Sequence, residues 1–106
     1  PDLVVIACNT ASTLVLPSLR ARFALPFVGT VPAIKPAAEL SRSRAFSVLA
    51  TPGTVARDYT QDLIRTYADD CRVTLVGSAR LATLAEAELS GSPATDAEIA
   101  AEIAPC

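Results

Sequence analysis

The stretch Val4-Val5-Ile6-Ala7-Cys8-Asn9-Thr10-Ala11-Ser12 decides how the chain is read. Its apolar run, rich in β-branched residues, predicts a strand buried on both faces, as in a parallel sheet. The polar residues then fall at the strand's C-terminal end, the edge where open α/β sheets bind ligands. Ala11 to Arg22 reads as helix, so Cys8 stands just before a helix N-terminus, where the helix dipole favours a thiolate. Asn9 and Thr10 add side-chain donors, and the helix start adds free backbone N–H groups. The plainer reading makes Cys8 a small buried hydrophobe and makes Asn9 and Thr10 simple caps.

The rest of the composition narrows the field. The chain has 106 residues, enough for one small domain with a core, and 51% of them are hydrophobic, which excludes a disordered chain. A net charge of −2, with no basic cluster interleaved with aromatics, argues against a nucleic-acid surface. No apolar run approaches the ~20 residues of a membrane span, and no secretory leader is visible. Three scattered cysteines do not make a disulfide framework, and a reducing cytoplasm is the simplest home for them. With no histidine and no Cys-x-x-Cys, neither a zinc site nor a histidine-based triad is expected. The sequence also holds no methionine and opens on Pro1-Asp2, one step before a strand, which reads as an internal segment of a longer protein.

Strands and helices alternate along the chain. Leu14, Leu16, Leu19 and Phe23 give the first helix an imperfect apolar face; Pro17 kinks it or delays its start. Phe27 to Thr30 reads as a second strand, and Lys35 to Ser41 as a helix. Ala45 to Ala50 is a third strand, entering the turn Thr51-Pro52-Gly53-Thr54. Thr54 then reads as the N-cap of a helix whose apolar face is Val55, Tyr59, Leu63, Ile64 and Tyr67. Cys71 to Val76 is a fourth strand, with Cys71 at the end away from the ligand edge. Gly77-Ser78 leads into a helix with Leu81, Leu84, Ala85 and Leu89 inward. Thr95-Asp96-Ala97-Glu98 is a capping-box pattern for a last helix. The class is therefore α/β with parallel βα repeats.

The second turn echoes the first. Thr51 and Thr54 flank a glycine at a helix start, a place suited to a carboxylate or phosphate, although a capped turn without a ligand explains them as well. It is neither a Walker loop nor a dinucleotide fingerprint. Asp58, Asp62, Asp69 and Asp70 read as solvated helix charges rather than a metal cluster.

Ala7-Cys8-Asn9-Thr10-Ala11-Ser12, Leu16-Pro17-Ser18-Leu19-Arg20, Val28 through Ala38, and Leu49-Ala50-Thr51-Pro52-Gly53-Thr54-Val55 closely resemble the bacterial glutamate racemases, and Gly77-Ser78 and Leu84-Ala85-Glu86 continue the match in order. The resemblance implies a cofactor-independent isomerase with two pseudosymmetric α/β domains and a cleft between them. Cys8 then corresponds to one catalytic cysteine. Asn9, Thr10, Thr51 and Thr54 correspond to residues that bind the substrate, glutamate. No metal or other cofactor is implied, the product D-glutamate serves peptidoglycan synthesis in the cytoplasm, and a homodimer of the full-length enzyme is allowed. Residues 1–33 would belong to the first domain and 34–106 to the second.

The family's Asp-Ser and Tyr-Gly turns and its second catalytic motif, Cys-Thr-His, are absent; Cys106 has no preceding strand and no Thr-His after it. The expectation is therefore a segment with one base and part of the pocket, inactive alone. An aspartate or hydantoin racemase is the alternative within the enzyme class. Outside it, the alternative is a non-catalytic module that binds an anion or a partner protein.

Overall fold

Ten elements follow one another in the computed structural model, which describes residues 1–106. They are β1 (Val4–Ile6), α1 (Asn9–Arg22), β2 (Phe27–Gly29), α2 (Ile34–Leu40), β3 (Ala45–Ala50), α3 (Pro52–Val55), α4 (Asp58–Tyr67), β4 (Arg72–Gly77), α5 (Leu81–Leu89) and α6 (Asp96–Ile103). Parallel strands joined through helices form the expected α/β architecture, but as two separate two-stranded sheets, β1–β2 and β3–β4. The register pairs Ile6 with Gly29 and Ala50 with Gly77, so both sheets end on glycine. The residue after each glycine extends the pairing. Thr30 N–H donates to the Ile6 carbonyl at 3.2 Å, and Ser78 N–H donates to the Ala50 carbonyl at 2.9 Å.

Those two glycines permit close helix packing. A Cβ on Gly29 would lie 2.5 Å from Leu16 Cδ1 and 2.7 Å from Ser12 Oγ of α1. One on Gly77 would lie 3.0 Å from Val55 Cγ2 and 3.2 Å from Pro52 Cα of α3. Each sheet is thus capped at its ligand edge by the helix that follows its first strand. Elsewhere the core gathers between α2, α4 and the second sheet. Ile34, Ala38 and Ala68 are buried there, with Phe46, Val48, Leu63, Ile64 and Val73 packed around them. Lys35 lies over the Tyr67 ring at 5.5 Å and ties α2 to α4 from outside.

Several expectations are corrected. β1 is buried on one face only: Val5 is 61% exposed, because α1 covers just the opposite side of a two-stranded sheet. α1 begins at Asn9 and not Ala11, so Cys8 itself is the N-cap and Asn9 and Thr10 are helical. Pro17 neither ends nor delays α1; it sits inside the helix on the exposed side, where its lost N–H is cheapest. Thr54 is no N-cap. That role falls to Thr51, and Thr54 lies within the single turn of α3, which a break at Ala56 and Arg57 separates from α4. Val55 therefore packs against Gly77 rather than on the α4 face. In α5, Leu81 and Leu84 are half-buried, but Ala85 and Leu89 are exposed; α6 is the main element packed beside the helix. The capping box at Thr95 and Glu98 is present as expected.

Candidate functional site

Cys8, Asn9, Thr10, Thr51 and Thr54 meet in one open cleft of about 590 Å³ at the C-terminal ends of both sheets. The two strand-to-helix turns bring them there from opposite sides. At the first turn, Cys8 has extended backbone, its carbonyl accepts from Ser12 N–H at 2.8 Å, and its Sγ accepts from Ala11 N–H at 3.5 Å. The thiol is exposed, and the first-turn N–H groups of Asn9 and Thr10 have no backbone acceptor. An anion beside Cys8 would meet these donors and the positive end of a 14-residue helix. Asn9 is exposed and also lines a second concavity of about 270 Å³ beside β3.

The threonines form a closed triangle. Thr10 Oγ1 lies 2.9 Å from Thr51 Oγ1 and 2.9 Å from Thr54 Oγ1, and the last two lie 3.1 Å apart. Three hydroxyl protons suffice for three edges, and each oxygen keeps a lone pair. The closed ring offers acceptors to a ligand, and it donates to a carboxylate only by exchanging an edge. Thr54 is 1% exposed, so Thr10 and Thr51 form the face of the ring that a ligand reaches.

Two further polar residues line the cleft, Thr30 and Ser78. Ser78 is buried, and its one hydroxyl proton is committed. The hydroxyl donates to Glu102 Oε2 at 2.6 Å and accepts from Leu81 N–H at 2.9 Å. Arg80 stands 3.7 Å from the same carboxylate. Thr30, one residue beyond β2, is exposed. The matching Gly29-Thr30 and Gly77-Ser78 pairs were the signal in the sequence for both positions.

Cys8 is the one thiol of the cleft. Cys71 lies just before β4, half-buried and 3.6 Å from Asp70 Oδ1, and burial there pushes its thiol up from the ordinary cysteine value. Cys106 is exposed, and its carbonyl accepts from Ser47 Oγ. Asp62 and Asp70 pair with Arg65 and Arg44 on the surface, as solvated charges do. No group of three His, Cys, Asp or Glu side chains is placed to hold a metal ion, and no helix is long and apolar enough to cross a membrane.

Comparison with known proteins places the chain as a whole. The chain is 59% identical over its whole length to the glutamate racemases of Brucella anthropi and Agrobacterium fabrum, and it spans 38% and 39% of their lengths. The crystal structure of Escherichia coli glutamate racemase, in complex with L-glutamate and the activator UDP-MurNAc-Ala, matches 98% of the chain with a TM-score of 0.87 and 47% identity. The chain covers 39% of that protein. Glutamate racemase isoform RacE1 from Bacillus anthracis shares the fold at a TM-score of 0.76 and 22% identity. Residues 1–105 match the Asp/Glu/Hydantoin racemase family, and the chain belongs to that family.

Proposed function

We propose that this chain supplies one of the two proton-transfer groups of a cofactor-independent glutamate racemase, with Cys8 as that group. The observation that carries the reading is the placement of one exposed thiol, at a helix N-terminus, in the cleft that both hydroxyl-bearing turns line. Racemisation removes a weakly acidic α-proton and returns one to the opposite face. One group cannot stand on both faces, so two are needed, one as thiolate and one as thiol. Cys8 takes one face. The Asn9 and Thr10 N–H groups suit the substrate carboxylate, whose negative charge grows as the carbanion-like state forms. Asn9, Thr10 and Thr51 bind substrate polar groups; Thr54 supports them from below.

The 59% identity to glutamate racemases favours glutamate over aspartate or hydantoins. The Escherichia coli relative, crystallised with L-glutamate, supports the same substrate. The product would serve peptidoglycan synthesis in the cytoplasm. Residues 1–33 and 34–106 belong to two domains, a division supported by the separate sheets.

Chiral chromatography of L-glutamate incubated with the 106-residue chain tests the two-group division. Because the cleft holds a single thiol, no D-glutamate is expected from the chain alone. D-glutamate formation abolished by Cys8→Ala would overturn that division.

A further inference from the structure

Two hydrogen bonds tie the first sheet and its helix to the rest of the molecule, and both are made by the Thr10 hydroxyl, to Thr51 and Thr54. The remaining hydrogen bonds stay within residues 1–33, stay within 34–106, or follow the chain itself where Pro32 and Ala33 lead into α2. α1 also packs on α3 and α4, but the polar link that aligns the Cys8 turn over the second sheet depends on where α3 holds its threonines.

A four-residue helix has little rigidity of its own. What fixes α3 lies behind it. Thr60, in the first turn of α4, is 0% exposed, and its hydroxyl donates to the Thr54 carbonyl at 2.7 Å. This bond spans the break at Ala56 and Arg57, where the backbone leaves one helix and enters the next. A continuous line of hydrogen bonds thus runs from α4 through α3 to α1: buried Thr60 to the Thr54 backbone, then the buried Thr54 hydroxyl to half-buried Thr10.

We propose that Thr60, which lies outside the cleft, is a positioning residue: it sets α3 so that Thr54 holds Thr10, and with it the Cys8 turn, in register with the second sheet. Without the Thr60 hydroxyl the Thr54 carbonyl keeps only weaker local partners, such as Arg57 N–H at 3.4 Å. The α3 turn then relaxes, and the Thr10 edges lengthen.

The test uses Thr60→Val, which keeps the volume and removes the donor, and Thr60→Ser, which restores it. It rests on glutamate as the cleft's ligand, so it has two arms. In the first, the glutamate concentration that half-protects Cys8 from iodoacetamide should rise about 5- to 10-fold in T60V, and T60S should stay within about twofold of wild type, as one hydrogen bond warrants. Cys71 labelling should not change in either variant. In the second arm, without ligand, amide exchange at Ala11 and Ser12, whose N–H groups donate to Cys8, should accelerate by a similar factor in T60V, with exchange in β3 and β4 unchanged.

If wild-type Cys8 is not protected by glutamate, the proposed function fails and the exchange arm alone decides. T60V matching wild type at Ala11 and Ser12 would overturn the positioning role. So would acceleration spread equally through both sheets, which marks general loosening. Should T60V lose its fold, T60A carries the same test.

Discussion

The hydroxyls of Thr10 and Thr54 lie 2.9 Å apart, although 44 residues separate them in the chain. This contact joins the two strand-to-helix turns into one cleft, and it gives small residues at two distant turns a shared purpose. A threonine ring is well suited to the task. Its members are short, stiff at χ1 and able to donate and accept at once, so the geometry is held with little side-chain entropy to lose.

Removing the cross-link should be measurable in stability. Thr10→Val deletes both inter-sheet hydrogen bonds and leaves Thr51 and Thr54 with each other. We expect a loss of about 1–2 kcal/mol in urea unfolding, largely restored by Thr10→Ser. A change of a few tenths in T10V would show that the ring carries little of the alignment.

Much of the fold was legible from the residues. β3 was read to its observed bounds, because a six-residue apolar run between polar turns leaves little choice of element. The cleft residues were legible as two hydroxyl-bearing turns. Their direct contact was not, since nothing local encodes a bond across 44 residues. Val5 misled for a related reason: an apolar run states that a strand can be buried on both faces, not how many neighbours this chain supplies. The α3–α4 break was hidden because Thr54 is a good cap by type, and the true cap, Thr51, stands just before Pro52, itself a favoured first helical residue. Thr60 gave no signal at all, since a threonine in a helix carries no mark of what its hydroxyl touches.

Gly29 offers a test of the packing. Its missing Cβ is the space occupied by Leu16 and Ser12, 1% and 0% exposed, so neither side chain can swing into solvent. Gly29→Ala should destabilise the chain by about 1–3 kcal/mol in denaturant unfolding. A neutral substitution would mean that α1 can lift from the sheet at little cost.

Acid should loosen the last helix. The Thr95 N–H and hydroxyl hydrogen-bond to Glu98 and hold its carboxyl below the ordinary glutamate range. A depressed folded value means stability that is present above the unfolded value of ~4.3 and is lost as pH falls through the folded value. Amide exchange in residues 96–103 should therefore rise between pH 5 and 3 relative to its intrinsic rate, and Thr95→Ala should remove much of this pH dependence and cost about 1 kcal/mol. Protection that is flat with pH would contradict the capping-box account.

Cys8 and Cys71 should differ in reactivity. Cys8 is exposed at a helix N-terminus, whereas Cys71 is half-buried beside Asp70 and its thiol is pushed up by burial. Because the thiolate is the reacting species, iodoacetamide at pH 7–8 should label Cys8 faster than Cys71, as read by peptide mass spectrometry. Equal rates would contradict the contrast between an accessible cleft thiol and a half-buried one.

The most direct measurement repeats that labelling with glutamate present. If Cys8 stands beside the substrate's α-carbon, saturating glutamate should slow its alkylation several-fold, aspartate should protect it less, and Cys71 should label at an unchanged rate. Cys8 labelling that is the same with and without glutamate would contradict the assignment of this cleft to a glutamate racemase.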